Sequence, residues 1–194
     1  MPKLIFEKDF DQYQFQVWDA KPAFEICEVD QVHGHSVCDI HEASLNIKSD
    51  GLFANRKTDL TMAIRTADCV PIVVVGKKGA ALLHAGWAGV KNQILLNPLV
   101  QKLEITKVFL GPHISVENYE VQDNFLQHFR DQSFFEIRNE KRFFNLALAL
   151  QKQMPQLKFE SSGICTFKNP HFHSFRRDKT TKRNYNILKI KGSL

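Results

Sequence analysis

Val70-Pro71-Ile72-Val73-Val74-Val75-Gly76-Lys77-Lys78-Gly79-Ala80-Ala81-Leu82-Leu83-His84 is the stretch on which the fold turns. The nearly unbroken run of β-branched residues from Val70 to Val75 reads as a strand covered on both faces, because a half-exposed strand would alternate apolar and polar positions. Gly76-Lys77-Lys78-Gly79 is turn chemistry, and Ala80 to His84 reads as a second strand. Antiparallel pairing across Lys77-Lys78 sets positions near 69 and 84 opposite each other, give or take a slip of one residue. Cys69 and His84 are therefore expected at the same end of one sheet.

Outward from this hairpin, Asp50-Gly51 is a turn signal and Leu60 to Arg65 reads as a strand. Toward the N-terminus, Phe10 to Val17 alternates in part, and Phe24 to Val29 alternates cleanly. Toward the C-terminus, Trp87 opens a helical pattern with Val90, Ile94 and Leu95 on one side, which Pro98 is expected to kink or end. Ile105 to Leu110 is a strand stopped by Gly111-Pro112. Val121, Phe125 and Phe129 have the spacing of an amphipathic helix, and Phe143 to Met154 reads as a second helix ended by Pro155. Phe159 to Cys165 and Tyr185 to Ile190 close the chain as strands. Strands gathered early and late with helices between them predict an α+β fold, a layered mixed-sheet sandwich. No repeat, low-complexity tract or Pro/Gly/Ser-rich linker divides the chain, so a single catalytic domain over 1–194 is expected.

The 194 residues are 43% hydrophobic and 24% charged, which excludes a disordered tail, a collagen-like chain and a coiled coil. A net charge of +5 and a sequence pI near 9.0 favour acidic partners such as nucleotides and phosphates. No apolar run is long enough for a membrane span and no signal-peptide pattern opens the chain, so a cytoplasmic protein is expected. The four cysteines, Cys27, Cys38, Cys69 and Cys165, contain no CxxC pair. In a reducing compartment each is a small apolar filler, a metal ligand or a nucleophile.

Dinucleotide-binding, P-loop, nucleophile-elbow, zinc-protease and nucleobase-deaminase signatures are all absent. Histidine, cysteine and aspartate concentrate instead in Gln31-Val32-His33-Gly34, Thr66-Ala67-Asp68-Cys69-Val70-Pro71 and His84-Ala85-Gly86-Trp87. A thiolate and an imidazole suit Zn²⁺ or copper. A third ligand such as His33 would make three protein donors with one open position. The competing reading is two ordinary histidines and a filler cysteine.

These three motifs recur together with Asp50-Gly51-Leu52 and Asn55-Arg56, Gly111-Pro112 with Tyr119-Glu120-Val121, and Cys165-Thr166 followed by Ser174-Phe175-Arg176-Arg177-Asp178. In that order the set resembles the bacterial polyphenol-oxidase-like (laccase-domain) family, whose members act as purine nucleoside phosphorylases and are also described as peptidoglycan editing factors. The resemblance implies a cytotoxic-necrotizing-factor-like cysteine-hydrolase type of fold, and one catalytic zinc held by His33, Cys69 and His84, with copper as the alternative ion. It also implies phosphorolysis of adenosine, inosine, guanosine and 5′-methylthioadenosine, together with adenosine deamination. The chain departs from the family pattern in a short segment before His33 and at Ala88, Asn118 and Phe167.

Among other residues, Cys69 and Asp68 are the candidate catalytic groups, Asp68 as an acid/base, as an orienting partner, or simply as a turn cap. Arg65 and Arg176 are the candidate contacts to ribose or phosphate, since both keep their charge at any working pH. Arg176, Arg177, Lys179, Lys182 and Arg183 form the densest basic cluster, in which one arginine is expected to pair with Asp178 or with substrate phosphate. His35 is a weaker ligand candidate than His33. His113 either lines the pocket or is solvated, and His171 and His173 are read as structural. The expected partners are a purine nucleoside and phosphate, with the oligomeric state open. Three competitors remain. A four-copper polyphenol oxidase needs roughly ten histidines and the chain has eight. A peptidoglycan-precursor editing hydrolase would need a hydrolytic Cys69 or a metal-bound hydroxide. A nucleic-acid-binding module is permitted by the charge, but no RRM, KH or helix-turn-helix signature is legible.

Overall fold

The computed structural model describes residues 1–55 and 60–191, so Arg56 of the Asn55-Arg56 pair lies outside the described residues. The strands in the first half are β1 (Leu4–Phe10), β2 (Tyr13–Trp18), β3 (Cys38–Asp39), β4 (Gly51–Asn55), β5 (Met62–Thr66), β6 (Val70–Gly76) and β7 (Gly79–Ala85). Those in the second half are β8 (Ile105–Leu110), β9 (Glu120–Val121), β10 (Phe135–Arg138), β11 (Lys141–Phe144), β12 (Phe159–Ser161) and β13 (Asn184–Ile190). The α-helices are short: α1 (Trp87–Lys91), α2 (Pro98–Gln101), α3 (Leu146–Gln151) and α4 (Phe175–Asp178).

The β6–β7 hairpin lies at the centre of a six-stranded mixed sheet in the order β12-β8-β6-β7-β4-β3. Both of its faces are buried, as the apolar run requires, and alternate residues serve two separate cores. Ile72, Val74, Ala81 and Leu83 face one core, together with Val90, Ile94, Leu95, Leu146 and Leu150 from α1, α3 and the turn between α1 and α2. Val73, Val75, Ala80 and Leu82 face the other, filled by Phe10, Phe15, Val17, Ile64 and Leu188 from a four-stranded antiparallel sheet ordered β1-β2-β13-β5. A three-stranded sheet, β10-β11-β9, joins the helical side. The result is an α+β fold of layered, partly mixed sheets.

Several expected elements take other forms. The Phe10 to Val17 strand is the junction of the β1–β2 hairpin, broken by Asp11 at φ 40°. Phe24 to Val29 forms only one parallel bridge, Cys27 to Met62, and no ladder. Just beyond it the Gln31 side chain takes over the pairing, accepting from the Arg65 N–H at 2.7 Å and donating to the Arg65 carbonyl at 2.9 Å. Val121 to Phe129 is not an α-helix. Val121 pairs with Arg142, and Asp123–His128 form a 3₁₀ turn whose Phe125 packs on Phe144 at 5.2 Å between ring centroids, so aromatic packing accounts for the fourfold spacing. The helix expected from Phe143 begins at Leu146, because Phe144 belongs to β11 and the Asn145 side chain caps by accepting from the Leu148 N–H. Pro98 starts α2 at its first turn instead of ending a helix, where its missing N–H costs nothing. The Phe159 to Cys165 strand stops at Ser161, shortly before Gly163 at φ 67°.

Leu82 is fully buried in the core between the two larger sheets. Leu82→Ala is expected to destabilise the protein by roughly 2–5 kcal/mol, read as a lowered urea midpoint at unchanged slope.

Candidate functional site

β6 and β7 pair in the register Val70 to Ala85 and Pro71 to His84. Cys69 thus stands just beyond the ladder, across from Gly86 and not from His84, two residues off the simplest pairing. It lies in the short crossing from β5 in the four-stranded sheet to β6 in the six-stranded one, after Asp68 at φ 92°. His33 arrives from the other side on a loop and also has positive φ, 60°. One ligand atom from each of His33, Cys69 and His84 lies within 4.8 Å of the other two, and the two imidazoles meet edge to face at 4.8 Å. Gly86 keeps this space open, since a Cβ there would stand 3.2 Å from Cys69 Sγ.

Asp50 organises the group. Because Gly51 pairs with Leu83, the preceding Asp50 falls beside His84, and its carbonyl accepts the His84 N–H at 2.7 Å. Its fully buried carboxylate accepts from His84 Nδ1 at 2.8 Å, the His33 N–H at 2.9 Å and the Gly34 N–H at 2.6 Å. With Nδ1 engaged, His84 offers Nε2 to the shared space. Burial alone would raise the Cys69 thiol, but the positive charge of His84 and hydrogen bonds from both imidazoles outweigh it and bring the group down to about 6. Burial likewise works against a charged His84, and the Cys69 thiolate and Asp50 overcome it, raising the imidazole to about 9. A thiolate and two imidazoles, one steered by a carboxylate, form the donor set that zinc or copper takes.

The group opens into a cleft of about 830 Å³ whose lining includes Gln31, Arg65, Asp68, Trp87, Tyr119, Phe175 and Arg176. Asp68 is largely committed within the protein, accepting from the Thr166 hydroxyl and from the Arg176 N–H, each at 2.7 Å. Arg65 lines the cleft, but its guanidinium also donates to the Val29 carbonyl at 3.2 Å and lies 3.9 Å from Glu28. Arg176 lies over the Tyr119 ring at 5.2 Å and donates to the Glu120 carbonyl at 2.7 Å, with no carboxylate partner among the described residues. Arg177 is the arginine that pairs with Asp178, through two bonds of 2.7 and 2.8 Å. Its other donors reach the carbonyls of Thr166, Phe167, Asn169 and Phe172.

The remaining histidines stay outside the group. His35 and His171 are exposed, and His173 Nε2 donates to the Asp19 carbonyl at 2.8 Å. His113 is buried with Nδ1 on the Gly111 carbonyl, and burial holds it below its ordinary value. Ala88 lines the cleft, and Asn118 donates to Cys165 Sγ at 3.4 Å. The sequence marks Asp50 as a turn residue inside a recurring motif, without a ligand-orienting role, and gives Phe175 no role of its own. The pairing of β4 with β7, which places Asp50 beside His84, is the signal that was missing.

The sequence profile of the family described as multi-copper polyphenol oxidoreductase laccase matches residues 13–191, and the chain belongs to that family. A Campylobacter jejuni protein named purine nucleoside phosphorylase is 28% identical over 96% of this chain and 90% of its own length. An Aquifex aeolicus protein of the same name is 33% identical over 74% of this chain and 72% of its own. A solved Neisseria meningitidis structure shares the fold with a TM-score of 0.76 at 24% identity, over 86% of this chain and 75% of that one.

Asp50→Ala would leave two backbone N–H groups and the His84 imidazole without their acceptor in a buried setting. A loss of roughly 2–5 kcal/mol in unfolding free energy is expected, measured by chemical denaturation.

Proposed function

We propose that the chain is a metal-dependent purine nucleoside phosphorylase, with adenosine, inosine, guanosine and 5′-methylthioadenosine as substrates and adenosine deamination as a second activity. The observation that carries this reading is Arg176, a cation without a carboxylate partner among the described residues, in the same cleft as the His33-Cys69-His84 group, in a chain whose relatives bear that name. His33, Cys69 and His84 would hold one zinc ion. When bound, such an ion supplies a Lewis acid and a water of lowered pKa.

The protein's own part is positioning. Asp50 fixes the His84 ring and the His33 backbone, so the donor groups are set before anything binds. Arg176, with Arg65 as a second cation, attracts phosphate to the cleft and opposes the charge of the departing purine. In phosphorolysis a phosphate oxygen bonds to C1′ while the C1′–N9 bond breaks. The base leaves with that electron pair and takes up a proton. The apolar walls offered by Trp87 and Phe175 suit a purine ring. The catalytic domain spans 1–194 in this reading, and the cysteine-hydrolase likeness rests on the resemblance of motifs. No helix of the described residues is long and apolar enough to cross a membrane, in keeping with a cytoplasmic enzyme.

A copper reading is favoured by one observation. Two imidazoles and a thiolate are also the trigonal set of electron-transfer copper sites. Metal analysis of protein purified without added metal separates the two. About one zinc per chain is expected, lost in Cys69→Ala and His84→Ala, whereas stoichiometric copper with oxygen-consuming turnover of phenols would overturn the phosphorylase.

Arg176→Ala is expected to raise KM for phosphate by about tenfold, as loss of a charge-assisted contact does, and to slow release of free base. Zinc content should hold and adenosine deamination, which needs no phosphate, should fall less. Equal loss of both activities, measured by separating base from nucleoside with and without phosphate, would sink this division of labour.

A further inference from the structure

The segment after α4 brings charge to the cleft that phosphorolysis of a plain nucleoside leaves unused. Lys179, Thr181 and Arg183 line the same cleft as the donor group. Among the described residues neither cation has a carboxylate partner: Lys179 lies over the Phe175 ring at 5.3 Å, and one Arg183 nitrogen donates to the carbonyls of Thr180 and Lys182. Among the described residues Asp68 is the only carboxylate lining the cleft, and it is occupied by Thr166 and the Arg176 N–H. With Arg65 and Arg176, Lys179 and Arg183 make four cations lining a cleft whose acidic groups among the described residues are Asp68 and the Cys69 thiol, and an anionic ligand offsets that positive excess.

Backbone conformation gives a second, independent observation. Lys179 has φ 52°, a region where glycine is easier than any L side chain. His33 at φ 60° and Asp68 at φ 92° line the same cleft, so three of the eight non-glycine residues with positive φ among those described border it, Lys179 as the left-handed cap that ends α4. The cleft also has room. About 830 Å³ lies toward the upper end of the roughly 300–1,000 Å³ that small-molecule sites span, more than a bare nucleoside fills.

We propose that Lys179, Thr181 and Arg183 form a rim subsite for the 5′-phosphate of a purine nucleoside monophosphate, separate from the inorganic-phosphate position assigned to Arg176. This rests on the nucleoside reading above for the orientation of the ligand, with the base toward the apolar walls and the sugar's 5′ side toward the rim. Thr181 adds a hydroxyl donor between the two charges in sequence, and both cations donate to phosphate oxygens without losing an existing ion pair.

The test is calorimetric titration of the full chain with inosine and with inosine 5′-monophosphate, in the absence of inorganic phosphate and at two salt concentrations, followed by steady-state phosphorolysis of inosine. The monophosphate is expected to bind about tenfold more tightly than inosine at low salt, with the gap narrowing as salt rises. Lys179→Gly suits the positive φ and so keeps the backbone. With Arg183→Gln, it should close most of that gap while leaving inosine affinity within about twofold. Equal affinity of the two ligands in the unaltered protein would overturn the proposal, as would variants that weaken both ligands alike. A rise only in the KM for inorganic phosphate would mean that the rim holds free phosphate, and would overturn it too. Binding is read without turnover, so a failure of phosphorolysis does not decide this outcome. Inosine cleavage with no preference for the monophosphate removes the rim subsite alone.

Discussion

Burial of β6 and β7 on both faces is the constraint from which the architecture follows. Strands as apolar as these, with His84 their one polar side chain, have to be covered above and below, and this chain does so with a four-stranded sheet on one side and short helices on the other. Cover on both sides forces the polypeptide to pass between layers. One such passage, from Thr66 in β5 to Val70 in β6, carries Asp68 and Cys69. The concentration of chemistry at that end of the sheet is therefore a by-product of how the core is closed, not a decoration added to it.

Polar groups at the passage are satisfied almost entirely by one another. Asp50 serves His33, Gly34 and His84, and Asp68 serves Thr166 and the start of α4. Each carboxylate joins segments far apart in sequence, Asp50 riveting the His33 loop to the β4–β7 ladder and Asp68 riveting the β5–β6 crossing to Thr166 and α4. The donor group and the basic segment share a cleft because these rivets fix the loops on either side of it.

What could be read beforehand followed from local pattern. The β-branched run, the Lys77-Lys78 turn and the strands Ile105–Leu110 and Asn184–Ile190 all declare themselves by composition and period, and the approach of Cys69 to His84 follows from the hairpin. What could not be read depended on tertiary partners. The spacing of Phe125 and Phe129 mimics a helix because both rings pack on Phe144. The segment before Gln31 lacks a ladder because a side-chain amide does the pairing. Asp50 gains its place from β4 lying beside β7, a long-range pairing with no local signature.

Arg177 has a thermodynamic consequence for the cleft. By gathering four backbone carbonyls and Asp178 around one guanidinium, it holds α4 and the segment before it, Thr166 to Phe172, as a single bracket. Loops that bind anions commonly lose freedom when they close on them, and that lost entropy is subtracted from affinity. Here the ordering is completed during folding, so in the phosphorylase reading proposed above the surface bearing Arg176 would meet an anion already stiff, with little of the binding free energy spent on immobilising the chain.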